Sequence, residues 1–470
     1  MTQQATSPHD HRNDRRPTVA VVGGGAAGLT AAWRLAEAGF AVTVFEQRRV
    51  LGGRANSFFD PFAGIVVDTC RHLVMGCCER FLQLCAEWGV RKHLHRQTRL
   101  HFVDNRGEVF SFRPWTWLPP PVHLVPGLGQ LRFLSFSERL CLAKSLRSLV
   151  RDRRQKLANK LDVPITAYLA RRNVSETIVR RFFEPVLVSA LNELPEYVPA
   201  QTAAFVFDEM FFRRRRGHEL YVFDVPSSEF FDRRVAEALE SRGVHLRRRV
   251  RVRQIAIGNK AGSRFRVQIE GPDRVSETTS FDAVVAAVPP WHAVKLFEAH
   301  EELASLRRTC ESLTAGGIAT VHLWYDRPLT RLPNAALLDG LGQWAFFSTG
   351  AEEEPRRLGY AQVVISAADR LLGDFEGDPC EAIRLQLQAH FPRSKAKPLH
   401  ARLTWERRAV LPPDSETERA RPAAETPVPG LVLAGDWTGT SWPGTLESAV
   451  RSGEAAASQL IRQRPNQTHE

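Results

Sequence analysis

The sequence predicts an α/β fold: a Rossmann-type domain put together from separated stretches of chain, with an inserted α+β domain between them. Three observations predict it. Thr18–Val22 is an unbroken apolar run rich in β-branched residues, as expected of a strand covered on both faces. It runs straight into Gly23-Gly24-Gly25-Ala26-Ala27-Gly28, a G-x-G-x-x-G pattern. A second short apolar strand, starting at Leu431, ends in Gly435 and Asp436 near the C-terminus, far along the chain from the first.

After the glycines, apolar residues at Leu29, Ala32, Trp33, Leu35 and Ala36 keep a helical period until Gly39 closes it. The next strand, Ala41–Phe45, ends in Glu46, which stands 18 positions after Gly28 and is followed by Gln47. Strand, glycine turn, helix, strand and acid in this order suit a dinucleotide. Glycines let the backbone approach a pyrophosphate at the helix N-terminus, and a carboxylate can bind ribose hydroxyls. Gly23, Gly25, Ala26, Ala27, Gly28, Glu46 and Gln47 are the candidate contacts of this unit, which serves NAD and FAD equally well.

The residues that follow separate the two. Val50-Leu-Gly-Gly-Arg54 resembles the second fingerprint of the FAD-dependent amine oxidase and phytoene desaturase superfamily. The resemblance places Gly52, Gly53 and Arg54 along the flavin and its pyrophosphate, a role that suits bare backbone and a guanidinium. The Leu431–Asp436 strand and Trp442–Gly453 resemble the closing motif of the same superfamily. By that likeness Gly435 and Asp436 meet the ribityl chain, and Thr445 and Leu446 open a helix at the flavin ring, where its N-terminus can stabilise an anionic reduced flavin. Gly243–Val252 resembles the segment whose backbone meets the adenine, with Val252 at the contact, and Phe281–Pro290 resembles the strand returning to the substrate domain. These matches occur in the family's order and imply FAD. They imply an FAD-binding domain from 17–90, 232–292 and 422–464, and a substrate domain from 91–231 and 293–421, with the cleft between them.

Within the insertions, Arg181–Asn192, Val321–Pro328, Gly342-Gln-Trp344 and Ala434-Gly-Asp-Trp437 resemble the squalene-associated FAD-dependent desaturases, also called hydroxysqualene dehydroxylases. The resemblance implies reductive dehydroxylation of hydroxysqualene to squalene for hopanoid or sterol synthesis. Reduced FAD would deliver hydride to the allylic cation as an acid or bound water assists loss of the hydroxyl. His72 is the candidate catalytic residue, as acid or as hydroxyl-binding donor, because an imidazole exchanges protons near neutrality. The subfamily usually has Asn-Gly-Gln-His after the aspartate corresponding to Asp68, whereas this chain has Thr69-Cys70-Arg71-His72. Two other classes fit the same scaffold: a phytoene-type desaturase or amine oxidase working oxidatively, and a non-catalytic flavoprotein carrying lipids.

The 470 residues are 43% hydrophobic and 25% charged, ordinary for a globular chain, and no apolar run reaches the roughly 18 residues of a transmembrane helix. The first 16 residues are expected to form a disordered tail; Arg15-Arg16 imitates a twin-arginine signal but lacks its flanking residues. A net charge of +12 suits an anionic membrane surface, and no nucleic-acid module is recognised. Trp115–Phe136 combines tryptophans, prolines and apolar residues, and Phe211-Phe212 beside Arg213–Arg216 repeats the aromatic–cationic pairing of a membrane interface. A chain of about 30 carbons would lose on the order of 20 kcal/mol on entering water, so the implied substrate calls for transfer from a bilayer. The expected setting is cytoplasmic, peripheral to the inner face of the cell membrane, with an external electron donor or a squalene-pathway enzyme as partner, since no second dinucleotide fingerprint is present. Seven cysteines without a secretory signal imply reduced thiols. Cys77 with Phe81, Leu84 and Trp88, and Cys78 with Leu82 and Cys85, fall on helical faces, which points to core packing and no metal.

Overall fold

The computed structural model describes residues 16–258, 264–348 and 358–464. The expected tail, 1–16, lies outside the described residues apart from Arg16.

Five parallel strands form the first sheet, in the order His245–Arg248, Ala41–Glu46, Thr18–Val22, Ala283–Ala286 and Leu431–Leu433. The apolar run at Thr18–Val22 has a reason on each face. Val19 and Val21 pack with Leu29, Trp33 and Val450 beneath the helices, while Ala20 and Val22 pack with Phe45, Phe265 and Leu433 on the other side. That second face is covered by an antiparallel sheet of Arg251–Ile257, Phe265–Glu270 and Ser276–Phe281. The helix Ala26–Glu37 packs against the closing helix Leu446–Arg462 with no side chain between them at one point. A Cβ on Gly453 would stand 2.3 Å from the Ala27 carbonyl oxygen, so only glycine permits this approach.

The switch in strand order falls between Thr18–Val22 and Ala283–Ala286, where the chain first turns to one side and later returns on the other. Open α/β sheets hold their ligands at the carboxyl ends of such strands. Gly23 and Ala287 follow those two ends, and Ala287 donates its amide to Val22 at 2.8 Å.

A seven-stranded mixed sheet runs Pro398–Val410, Gly316–Tyr325, Gly359–Ile365, Trp344–Ser348, Asn334–Leu337, Leu100–Val103, Val109–Phe112. Strands from both insertions therefore share one sheet. A smaller sheet of Leu73–Met75, Leu220–Phe223 and Leu94–Gln97 ties the early chain to the first insertion. The expected segment boundary at 231/232 falls inside a continuous helical run from Ser227 to Ser241.

The cysteine-rich stretch becomes the N-terminus of helix Glu79–Glu87, with Cys77, Cys78 and Cys85 buried among Phe81, Leu84 and Trp88. All seven thiols are free, and no group of three metal-ligating side chains is placed to hold an ion among the described residues.

Candidate active site

The two glycine stretches, separated in sequence, lie against each other. Gly52 donates its amide to the Gly24 carbonyl at 2.8 Å, and Gly25 and Gly52 form an isolated parallel bridge. Gly23 turns the chain at φ +113°, where a Cβ would stand 2.4 Å from the Ala287 carbonyl oxygen. Glu46 is buried beneath this double turn; its carboxylate accepts the Gly24 amide at 2.9 Å and the Arg48 amide at 2.8 Å. Each carboxylate oxygen keeps a further lone pair for a ligand hydroxyl.

A cavity of about 440 Å³ opens from this turn. Gly23, Gly25, Ala26, Ala27, Glu46, Gln47, Gly52, Gly53, Arg54, His72, Val252, Gly435, Asp436, Thr445 and Leu446 all line it. Gly28 does not. Its Cβ position lies 2.0 Å from the Gly23 carbonyl oxygen, so it serves the tightness of the turn rather than contacting the cavity. Arg54 pairs with the Asp436 carboxylate and donates to the Ala409 carbonyl at 2.5 Å, which joins the second fingerprint to the closing motif. Thr445 caps the closing helix, its hydroxyl accepting the Ser448 amide at 3.3 Å. A bulge at Arg253 separates Val252 from the regular ladder beyond it and so redirects the backbone there.

The turn that ends in Cys70, Arg71 and His72 borders the same cavity and is held from two sides. Its Asp68 carboxylate accepts from the Ser57 hydroxyl at 2.7 Å and the Ser227 amide at 2.6 Å. From the seven-stranded sheet, Gln362 donates to the Asp68 carbonyl at 2.8 Å and Thr404 to the Thr69 carbonyl at 2.9 Å. Burial is the largest influence on His72 and lowers its pKa; the Asp68 carboxylate and the Cys70 carbonyl act against it, while Arg54 adds to it. The ring is neutral near pH 7, so it meets a ligand as a hydrogen-bond partner and not as an imidazolium. Burial pushes the Cys70 thiol up to about 11, which leaves it protonated and unreactive.

A model of flavin-containing amine oxidoreductases matches residues 26–461. The chain belongs to the flavin-containing amine oxidoreductase family. It is 27% identical to a hydroxysqualene dehydroxylase of Sinorhizobium fredii, covering 93% of this chain and 97% of the relative, and 29% identical to one of Rhodopseudomonas palustris, covering 94% and 98%. A 15-cis-phytoene desaturase of Synechococcus elongatus is 23% identical over 94% of this chain and 95% of its own. Among solved structures, an oxidoreductase from Methanosarcina mazei superposes with a TM-score of 0.71 at 17% identity, covering 94% of this chain and all of that one. Wild-type putrescine oxidase bound to putrescine superposes at 0.64, with 17% identity and 95% and 99% coverage.

Membership of this flavin-containing family makes the protein an FAD-dependent oxidoreductase, and the site fits that cofactor. The walls beside Gly23, Gly25, Gly52 and Gly53 are bare backbone: at Gly25 a Cβ would meet only the Gly53 Cα, at 3.9 Å. The twelve-residue helix Ala26–Glu37 begins there, which favours a pyrophosphate. Glu46, Arg54, Asp436, Thr445 and Leu446 line the same cavity as these glycines.

Sequence reasoning missed part of the lining. Arg251, Val288, His292 and Lys295 border the nucleotide end, and Ser189, Asn192, Ile318, Trp344, Phe346 and Val364 border the other. Most of the second group comes from sheet strands, whose inward face depends on long-range register that no local pattern reveals. Trp115 and Trp117 stack at 5.5 Å and stand exposed, Trp117 by 69%; Val125 and Phe136 further along the chain are exposed too, the latter by 70%. The second expected interface is different. Phe211 is 2% exposed and Phe212 packs on the core, while Arg213 and Arg214 pair with the buried Glu209 carboxylate. Burying that acid turned the segment inward, leaving only the arginine turn at the surface. Among the described residues no helix is long and apolar enough to cross a membrane.

Proposed function

We propose that the protein reduces hydroxysqualene to squalene, with the cofactor held by 17–90, 232–292 and 422–464 and the lipid by 91–231 and 293–421. The observation that carries this reading is one continuous cavity: a glycine-built cradle at one end, apolar strands at the other, and His72 between them. The near full-length likeness to two hydroxysqualene dehydroxylases supports the choice of substrate.

One hydride and one proton convert the allylic alcohol to the hydrocarbon and water. The bound cofactor, reduced by an external donor, would supply the hydride. The chain's own residues do the rest. Ile318, Phe346 and Val364 hold the hydrocarbon and exclude water, so that a cationic carbon is not recaptured by it. The face of Phe346 stabilises positive charge developing on the substrate. His72 holds the departing oxygen by a hydrogen bond while one bound water delivers the proton with which it leaves as water.

Purified holoenzyme given hydroxysqualene and a chemical reductant anaerobically should form squalene. Absence of squalene with the flavin fully reduced would end this reading. The phytoene desaturase relatives favour a second one, oxidative desaturation. It predicts that an isoprenoid bleaches oxidised flavin, whereas dehydroxylation predicts that hydroxysqualene reoxidises reduced flavin. A lipid carrier would bind without either change. Access to so insoluble a substrate is supplied, in this reading, by peripheral docking of the Trp115–Phe136 face on a membrane.

A further inference from the structure

Three donor-bearing side chains on the cavity wall have a buried ring or guanidinium nitrogen with no hydrogen-bond partner: Arg71 at Nε, His72 at Nδ1 and Trp344 at Nε1. Buried polar atoms in folded proteins are nearly always paired, so three around one cavity call for a ligand. Their positions are fixed by the fold. Arg71 is pinned by its Nη2, which donates to the Phe223 carbonyl at 2.6 Å and leaves Nε free. His72 follows it on the clamped turn. Trp344 stands on the sheet face that holds the turn: it pairs with Val364 and is two residues from Phe346, which pairs with Gln362, the donor to Asp68.

We propose that Arg71, His72 and Trp344 form a receptor for a hydroxyl group, so that the site selects an isoprenoid alcohol over the matching hydrocarbon. The inference rests on the dehydroxylation reading and adds how the alcohol is recognised. A hydroxyl offers what the three groups need. Its oxygen accepts from Arg71 Nε–H and Trp344 Nε1–H, which can only donate. Its proton goes to Nδ1 of neutral His72, in the tautomer protonated at Nε2. A hydrocarbon in the same place leaves all three groups dry, which is the strongest way for a site to reject an analogue. Arg71 adds a charge-assisted contact to the hydroxyl oxygen of the bound alcohol.

The test uses oxidised holoenzyme, which cannot turn over, and measures partition of tritiated hydroxysqualene and tritiated squalene from identical detergent micelles. Wild type should hold the alcohol about tenfold more tightly than the hydrocarbon. Trp344→Phe, which keeps the packing and removes the N–H, and Arg71→Met should each weaken alcohol binding by about three- to tenfold and leave the hydrocarbon within about twofold. Flavin content of each variant reports that it has folded. Equal affinity of wild type for both lipids overturns the receptor while leaving the reaction class intact, as does a Trp344→Phe loss that is the same for both. If wild type binds neither lipid, the dehydroxylation reading falls together with its receptor.

Discussion

Glu447, in the first turn of the closing helix, accepts the backbone amide of Phe81 at 2.9 Å, in the first turn of helix Glu79–Glu87. It also accepts the Arg80 amide at 3.2 Å and pairs with Arg451. A carboxylate from the closing motif thus caps the helix that carries the buried cysteines, favourably placed at the positive end of its dipole.

Removing this cap should cost stability. Glu447→Ala is expected to lose about 3 kcal/mol in urea unfolding and Glu447→Gln about 1–2, since the amide still accepts one bond. Burial raises the Glu447 pKa. Above the ordinary carboxylate value the folded state then holds more protons than the unfolded, so this group's contribution falls as pH climbs through the interval. Glu447→Gln should abolish that decline.

Two buried histidines should produce the opposite slope at lower pH. Burial is the main cause holding His218 and His322 at about 4; His123 and Arg96 add to the effect on His218. His322 is used by Tyr360 and Thr404 at 2.8 and 2.9 Å, whereas neither ring nitrogen of His218 has a partner. Unfolded histidine binds its proton near 6.5, so stability should fall as pH drops from about 6.5 to 4, by roughly 3 kcal/mol per group at most. Replacing the unpartnered ring, His218→Phe, should shrink this acid limb by about half in melting curves recorded across that range.

The Arg54–Asp436 pair should govern retention of the cofactor. Asp436→Asn and Arg54→Met are expected to lower FAD affinity by about ten- to a hundredfold while leaving the far-ultraviolet spectrum unchanged. Fluorescence quenching during FAD titration of the stripped protein measures it.

Gly23→Ala should be more severe, since the backbone is left-handed and the new methyl meets the Ala287 carbonyl. Loss of bound flavin on purification, with a drop of about 3 kcal/mol or more in stability, is the expected outcome.

On the surface, Trp115→Ser with Trp117→Ser should cut flotation with anionic liposomes severalfold, whereas Arg215→Ala with Arg216→Ala should act mainly at low salt. Undiminished flotation of the tryptophan pair would remove this face as the docking site.

The sequence made legible what is local. Thr18–Gly28, Val50–Arg54 and Leu431–Leu446 announce strand, turn and helix within a few residues of each other, and their side chains meet at one cavity. Gly28 shows the limit of a motif, because the same glycine suits close packing and ligand contact. Phe346 and Ile318 were invisible because strand register assembles the lipid end over long separations. Phe211 misled because its neighbours are arginines. The acid they serve, Glu209, lies two residues back and is buried.

The five strands of the first sheet come from three remote parts of the chain, and its last strand is Leu431–Leu433. During synthesis the glycine turn therefore leaves the ribosome long before Asp436 and the closing helix exist to face it. The wall that Gly435, Asp436, Thr445 and Leu446 add to the cavity is thus the last part of it to be made, and a truncation of the final forty residues removes that wall while sparing every early motif.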